Sequence, residues 1–358
     1  MGCGNSLQTP TGVAARDSGA DGGAPATPML YLVTGCGASA CSGNDLVAID
    51  VTAGKAVTDA PLDGTTAIAY RGGELLAARG SGYTRISVVD PDTLATTGTQ
   101  LLPWDPDVAV FSPDGTTMYA AHDAGFVSQV RVADGAVTAE LQVPPPAGSS
   151  SPTLEAIDGL ALDPSGTLLA ITSPNDGQAS SVALVRISGQ TLTVAFNWLS
   201  QPFATSNCQR EASGPAFDLA GAALATFDRN CGAFDVYDLS TGQLDPTASV
   251  LFARPDGSSL YSTTVADADG QFWAVNDGAL YRTGRGSTSQ QATFPFDPST
   301  GGLVTDTLGA TLYAFKGDPR TNGAFTVDLL TGAAAPEGWN LDLVPLGAEI
   351  AALTYAVR

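Results

Sequence analysis

The chain is short of basic charge. Lys and Arg number 15 against 36 Asp and Glu among 358 residues, so the formal net charge is −21. Lys55 and Lys316 are its two lysines. A surface this acidic repels phosphate, which argues against DNA, RNA and anionic lipid as partners. Histidine is almost missing, with His122 the single copy. Without a His pair, a catalytic zinc site lacks its usual ligands. No Gly-x-Ser-x-Gly nucleophile elbow is present. No apolar run approaches the roughly 18 residues that a membrane span requires, and no apolar region of a signal peptide is visible. No Asn-x-Ser/Thr site occurs, which speaks against a eukaryotic secreted origin. Charged residues are 14% of the chain and hydrophobic ones 44%, so the bulk has the means to fold.

What the chain has is turns. Gly (41) and Pro (23) are plentiful but follow no collagen period. They mark a repeating unit. A short apolar strand runs into Asp-x-x-Gly or Ser-Pro-Asp-Gly, then a Leu-Tyr-Ala-like strand, a loop, a Val-x-Val-x-Asp-like strand, Thr-Gly or Asp-Gly, and a fourth strand. The first turn appears as Arg71-Gly72-Gly73, Ser112-Pro113-Asp114-Gly115, Asp163-Pro164-Ser165-Gly166, Asp218-Leu219-Ala220-Gly221, Asp267-Ala268-Asp269-Gly270 and Asp306-Thr307-Leu308-Gly309. Asp or Ser binds backbone amides at the turn start, and Gly takes the positive φ at its end. The third strand recurs seven times, starting at Leu46, Ile86, Val127, Val182, Phe234, Ala279 and Phe325. The period of about 40–54 residues lies in the propeller range.

Four short strands per unit, seven units and no helical period predict an all-β, seven-bladed β-propeller. Met29–Val33 reads as a second strand with no first strand before it, and Glu349–Tyr355 as a first strand with nothing after it. Placing both in one blade closes the ring and removes open sheet edges. Residues 29–358 thus form one domain, and residues 1–28, poor in apolar side chains, form a Gly/Ala/Pro/Thr tether. Ser112-Pro113-Asp114-Gly115 with Met118-Tyr119-Ala120, and Phe234–Asp238 with Thr241-Gly242, resemble the YVTN-type propeller repeat, which lactonase-like propellers share. The resemblance spans 29–358 as a pattern and implies fold more than activity.

In such a repeat the first strand lines the central channel. First-to-second and third-to-fourth turns share one face and are tight here. Second-to-third and fourth-to-first loops share the opposite face and are long, which is where binding usually sits. Five cysteines divide unevenly. Cys36 and Cys41 fall in one long loop, and Cys208 and Cys231 in two long loops of one blade. Two disulfides, Cys36–Cys41 and Cys208–Cys231, are the expected pairing and imply an oxidising compartment. Zinc and free thiols are the competing readings, although C-x4-C without a nearby His fits structural zinc poorly. Cys3 follows a small residue and precedes the tether, as at the processed start of a bacterial lipoprotein. The apolar segment expected ahead of such a cysteine is not among these residues. The rival reading of Met1–Ser6 is N-myristoylation with Cys3 palmitoylated, on a cytosolic membrane face.

Candidate chemistry is sparse. His122 with Asp123 has the residue types of a general base, and Arg210 with Glu211 would serve a lactonase-like site at the channel mouth. Asp107, Asp158, Glu211 and Glu349 sit at or just before inner strands, with Glu155 in an adjoining loop. Converging there, they would bind a ligand or a hard cation such as calcium, or only solvate a funnel. Trp104, Tyr83, Trp198, Phe203, Tyr261 and Phe296 lie in or near long-face loops and would suit sugars or peptides, with Trp198 and Phe296 expected to pack at the outer strands of their blades. The leading expectation is a non-catalytic, lipid-anchored, extracytoplasmic propeller in the bacterial periplasm or on the cell surface. It would be a monomer that binds a protein or glycan of the cell envelope. The alternatives are a lactonase-like hydrolase and a structural envelope subunit.

Overall fold

A computed structural model describes residues 26–36, 44–80, 82–123, 125–147, 149, 154, 156–173, 180–199, 212–228, 233–251, 263–276, 279–284, 290–293, 301–306, 308–316, 324–327, 329, 334–344 and 348–358. Among these residues the structure is all β, with 29 strands in seven sheets. Each sheet is a blade. Blade 2 runs β4 (Thr65–Arg71), β5 (Glu74–Arg79), β6 (Arg85–Val89) and β7 (Thr96–Leu101). Blade 3 runs β8 (Val108–Phe111), β9 (Thr117–His122), β10 (Phe126–Arg131) and β11 (Val137–Gln142). The first strands of neighbouring blades abut one another around the whole circle, so the chain is a closed seven-bladed β-propeller.

Closure follows the expected route. The C-terminal strand β29 (Ala348–Val357) is the inner strand of blade 1 and pairs with β1 (Pro28–Cys36). Thr27 and Arg358 exchange backbone hydrogen bonds beyond the last pair. The Arg358 guanidinium then reaches blade 2, donating to Pro91 O at 2.9 Å and to the Asp92 carboxylate.

The core is a set of layers between blades. In β1, Met29, Tyr31 and Val33 pack towards blade 2, whereas Leu30 and Leu32 pack towards blade 7. A strand with both faces covered needs apolar residues at every position, unlike a half-exposed one. Hence β8 reads Val-Ala-Val-Phe and is buried throughout. Outer strands have one free face and alternate, as in β3 (Lys55–Pro61). Trp198, on the outer strand of blade 4, stacks between Phe196 and Tyr237 at 5.2 and 4.6 Å.

The tight turns use the chemistry anticipated from sequence. Asp163 Oδ1 accepts from Thr167 N at 2.7 Å and Leu168 N at 2.6 Å. Asp218 Oδ1 accepts from Ala222 N and Ala223 N at 2.7 and 3.0 Å. Gly115 and Gly166 close their turns at φ of 72° and 73°, where a side chain is disfavoured.

Candidate binding face

On the long-loop face, two connections meet between blades 2 and 3. One links β5 to β6 through residues 80–84, and the other brings residues 102–107 from β7 to β8. Asp105 laces them together, accepting from Gly82 N at 2.9 Å and Thr84 N at 3.3 Å. The contact is close enough that a Cβ on Gly80 would lie 2.2 Å from Pro106 O. Beside Asp105, Trp104 lies flat on His122, with ring centroids 4.0 Å apart and planes 7° from parallel. Phe126 stacks with the same imidazole at 5.9 Å.

His122 ends β9 and is only 3% exposed. Its Nε2 lies 2.8 Å from Ser128 Oγ, and Ser128 Oγ donates to Glu140 Oε2 at 3.1 Å. Ser128 has one hydroxyl proton, so with that proton on Glu140 it accepts from His122 Nε2–H. The other nitrogen, Nδ1, faces Asp123 Oδ2 at 3.3 Å. Asp123 itself holds φ of 46°, a left-handed geometry uncommon outside glycine. The relay runs outwards across blade 3, from second strand to fourth, away from the channel. A hydrolytic triad needs an accessible serine at its head. Here the serine is wholly buried and stands in the middle. Ser128 Oγ takes the Nε2–H hydrogen bond, and Asp123 stands against Nδ1.

Of the candidate acids, the side chains of Asp107 and Asp158 fall among the described residues. Asp107 is exposed, yet crowding of its carboxyl raises its pKa, reinforced by the Asp123 and Asp105 charges and opposed by His122. Asp158 Oδ1 accepts from Thr172 Oγ1 at 2.8 Å. Glu349 pairs through its backbone with Gly35 in the closing blade. Cys3, Cys41, Glu155, Cys208, Arg210, Glu211 and Cys231 lie outside the described residues, as do the side chains of Cys36 and Glu349. Among the described residues, no group of three or more His, Cys, Asp and Glu side chains is arranged to hold a metal ion.

The sequence reading missed Arg79 and Arg85. They are directly opposed across β5 and β6. Their guanidinium carbons lie 4.5 and 4.9 Å from the centroid of one ring, Tyr83. Two arginines flanking a five-residue loop, in a chain with so few cations, were the available signal.

Among solved structures, the chain is similar to a provisionally assigned 6-phosphogluconolactonase of Bacteroides fragilis. Identity is 14%, 92% of this chain and 98% of that one are covered, and the TM-score is 0.65. A provisionally assigned 6-phosphogluconolactonase of Bacteroides uniformis gives 14%, 93%, 100% and 0.64 in the same order. Hydrazine synthase of Kuenenia stuttgartiensis gives 15%, 74%, 77% and 0.56. What is shared is the fold. No family model matches the sequence, and no curated protein matches it.

Proposed function

We propose that the protein is a non-catalytic binding propeller that engages a protein or glycan through its long-loop face. The carrying observation is the closure of His122: buried, stacked under Trp104, hydrogen-bonded to Ser128 through Nε2 and with Nδ1 facing Asp123, it holds a surface in place. The loops around it are tied to each other by Asp105, which gives a ligand a rigid platform at little ordering cost. Trp104 and Tyr83, the latter with Arg79 and Arg85 over its ring, bring to that face the residue types that most often anchor recognition. The Ser-Pro-Asp-Gly-type turns, which resemble those of the YVTN repeat, support reading the chain as a propeller of that kind. Cys3, the tether and the two cysteine pairs support an extracytoplasmic lipoprotein with disulfides Cys36–Cys41 and Cys208–Cys231.

The second reading is a lactonase-like hydrolase acting at the channel mouth, with Arg210 and Glu211 as its residues. The structural similarity to the two Bacteroides proteins favours it. Probing glycan and peptide arrays with the wild type, Trp104→Ala and Tyr83→Ala separates the readings. The expected result is a defined ligand class whose capture falls at least about tenfold in both variants. Capture unchanged in both variants would remove this part of the face from the account.

A further inference from the structure

The arginine pair of blade 2 is only partly compensated within the protein. Arg79 and Arg85 face each other in the β5–β6 register. Like charges directly opposed across a ladder are destabilising. The chain has more than twice as many acids as bases, and a carboxylate placed here would have cancelled the repulsion. None does so: neither arginine forms an ion pair among the described residues. Asp63 is nearby, but it offers Arg79 Nε its backbone oxygen at 2.7 Å, while its carboxylate accepts from Asn44 N at 3.1 Å.

The pair is also built rather than loose. Arg79 is 9% exposed, and its Nε bond fixes the plane of the guanidinium. Arg85 Nε is buried without a hydrogen-bond partner. Tyr83 carries both cations on its ring and is itself seated on Gly64, where a Cβ would meet the ring at 2.3 Å. Burial, then the Arg85 charge, lower the pKa of Arg79 against the opposing influence of Tyr83 and Asp63, and a bound anion would act with those two. As directly opposed partners, the two arginines leave the ladder on the same face of blade 2, and a guanidinium suits an oxyanion through forked, charge-assisted hydrogen bonds.

We propose that Arg79 and Arg85, carried on Tyr83, form an oxyanion-binding site on the long-loop face, which takes a carboxylate or phosphate group of the ligand. The proposal deepens the reading of that face as the binding surface. Its test uses free small molecules, so it can fail while that reading stands. Calorimetric titrations would use glucuronate, glucose 6-phosphate and, as the uncharged control, glucose, at matched ionic strength. They would be run on the wild type, Arg85→Gln, Arg79→Gln and Arg85→Lys, each checked for a native thermal transition. Wild type should bind at least one anion and bind glucose at least about tenfold more weakly. The glutamine variants should lose about tenfold or more, and Arg85→Lys, with a charge but no fork, should fall between. Binding of glucuronate alone identifies a carboxylate site, and of glucose 6-phosphate alone a phosphate site. Three results would overturn the proposal: no anion bound up to about 20 mM, a limit well above ordinary weak affinities; equal binding of glucose; or equal affinity in wild type and Arg85→Lys together with whichever glutamine variants fold.

Discussion

The two faces of the ring use their charges in opposite ways. On the tight-turn face, aspartates are spent on the backbone. Asp90, Asp114, Asp163, Asp218, Asp238, Asp267 and Asp306 all accept hydrogen bonds from amides of their own turns. On the long-loop face, like charges are bunched. Asp105, Asp107 and Asp123 crowd beside Trp104, and Arg79 faces Arg85. A net charge of −21 is therefore in good part a by-product of turn construction. The unbalanced clusters on the other face are the ones that point outside the molecule.

Four experiments test this contrast. The largest effect is expected at Asp267, which is fully buried and accepts from Trp273 Nε1 at 2.7 Å and from two turn amides. Asp267→Ala should cost about 3 kcal/mol, because buried donors are left unpaired. A urea midpoint unchanged from wild type would show that the turn carboxylates are not structural.

Alkaline stability comes next. Burial raises Tyr31, which donates to Pro91 O beneath the tight-turn face, to about 12, and raises Tyr313 to about 12. A raised folded pKa means that the folded state holds the proton longer. Stability should be flat below the ordinary tyrosine value of about 10 and fall between there and 12. Ultraviolet titration should find at least these two tyrosines ionising late or only with unfolding, since burial raises Tyr70, Tyr119 and Tyr355 as well. Ionisation of all nine near 10 in the folded protein would contradict this.

Asp105→Ala on the long-loop face should cost less than about 1 kcal/mol, since its acceptor bonds lie at the surface. Its effect should be local, with faster hydrogen exchange at Gly82 and Thr84. A destabilisation as large as that of Asp267→Ala would erase the distinction between the faces.

The smallest effect is expected at Asp90. Hydrogen bonds from Thr93 N and Oγ1 lead the causes that lower its pKa. The stability it confers is present above the unfolded carboxylate range and lost as pH falls through the lowered folded value. Asp90→Asn should melt slightly below wild type at pH 7, and the two should converge in strong acid. A gap that persists there would mean that the charge is irrelevant.

The tight-turn face was legible in the sequence because its chemistry is local. Asp at a turn start and Gly at its end act within a few residues, so Asp163 and Gly166 announce themselves. Ring closure was legible because Met29–Val33 and Glu349–Tyr355 each lacked a partner that the other supplied. The role of His122 was not legible. It depends on Trp104 arriving from another blade and on Ser128 and Glu140 standing opposite across two ladders. The Arg79–Arg85 opposition was hidden for a related reason: cross-strand register depends on loop geometry, which the repeat pattern leaves free.

The proposed role has this ring bind without catalysing. Its most direct test is turnover of a sugar δ-lactone, followed as acid release by the wild type and by His122→Asn. The expected result is a rate equal to that of buffer for both proteins. Saturable hydrolysis by the wild type would contradict the account, and its loss in His122→Asn would make that imidazole part of an active site.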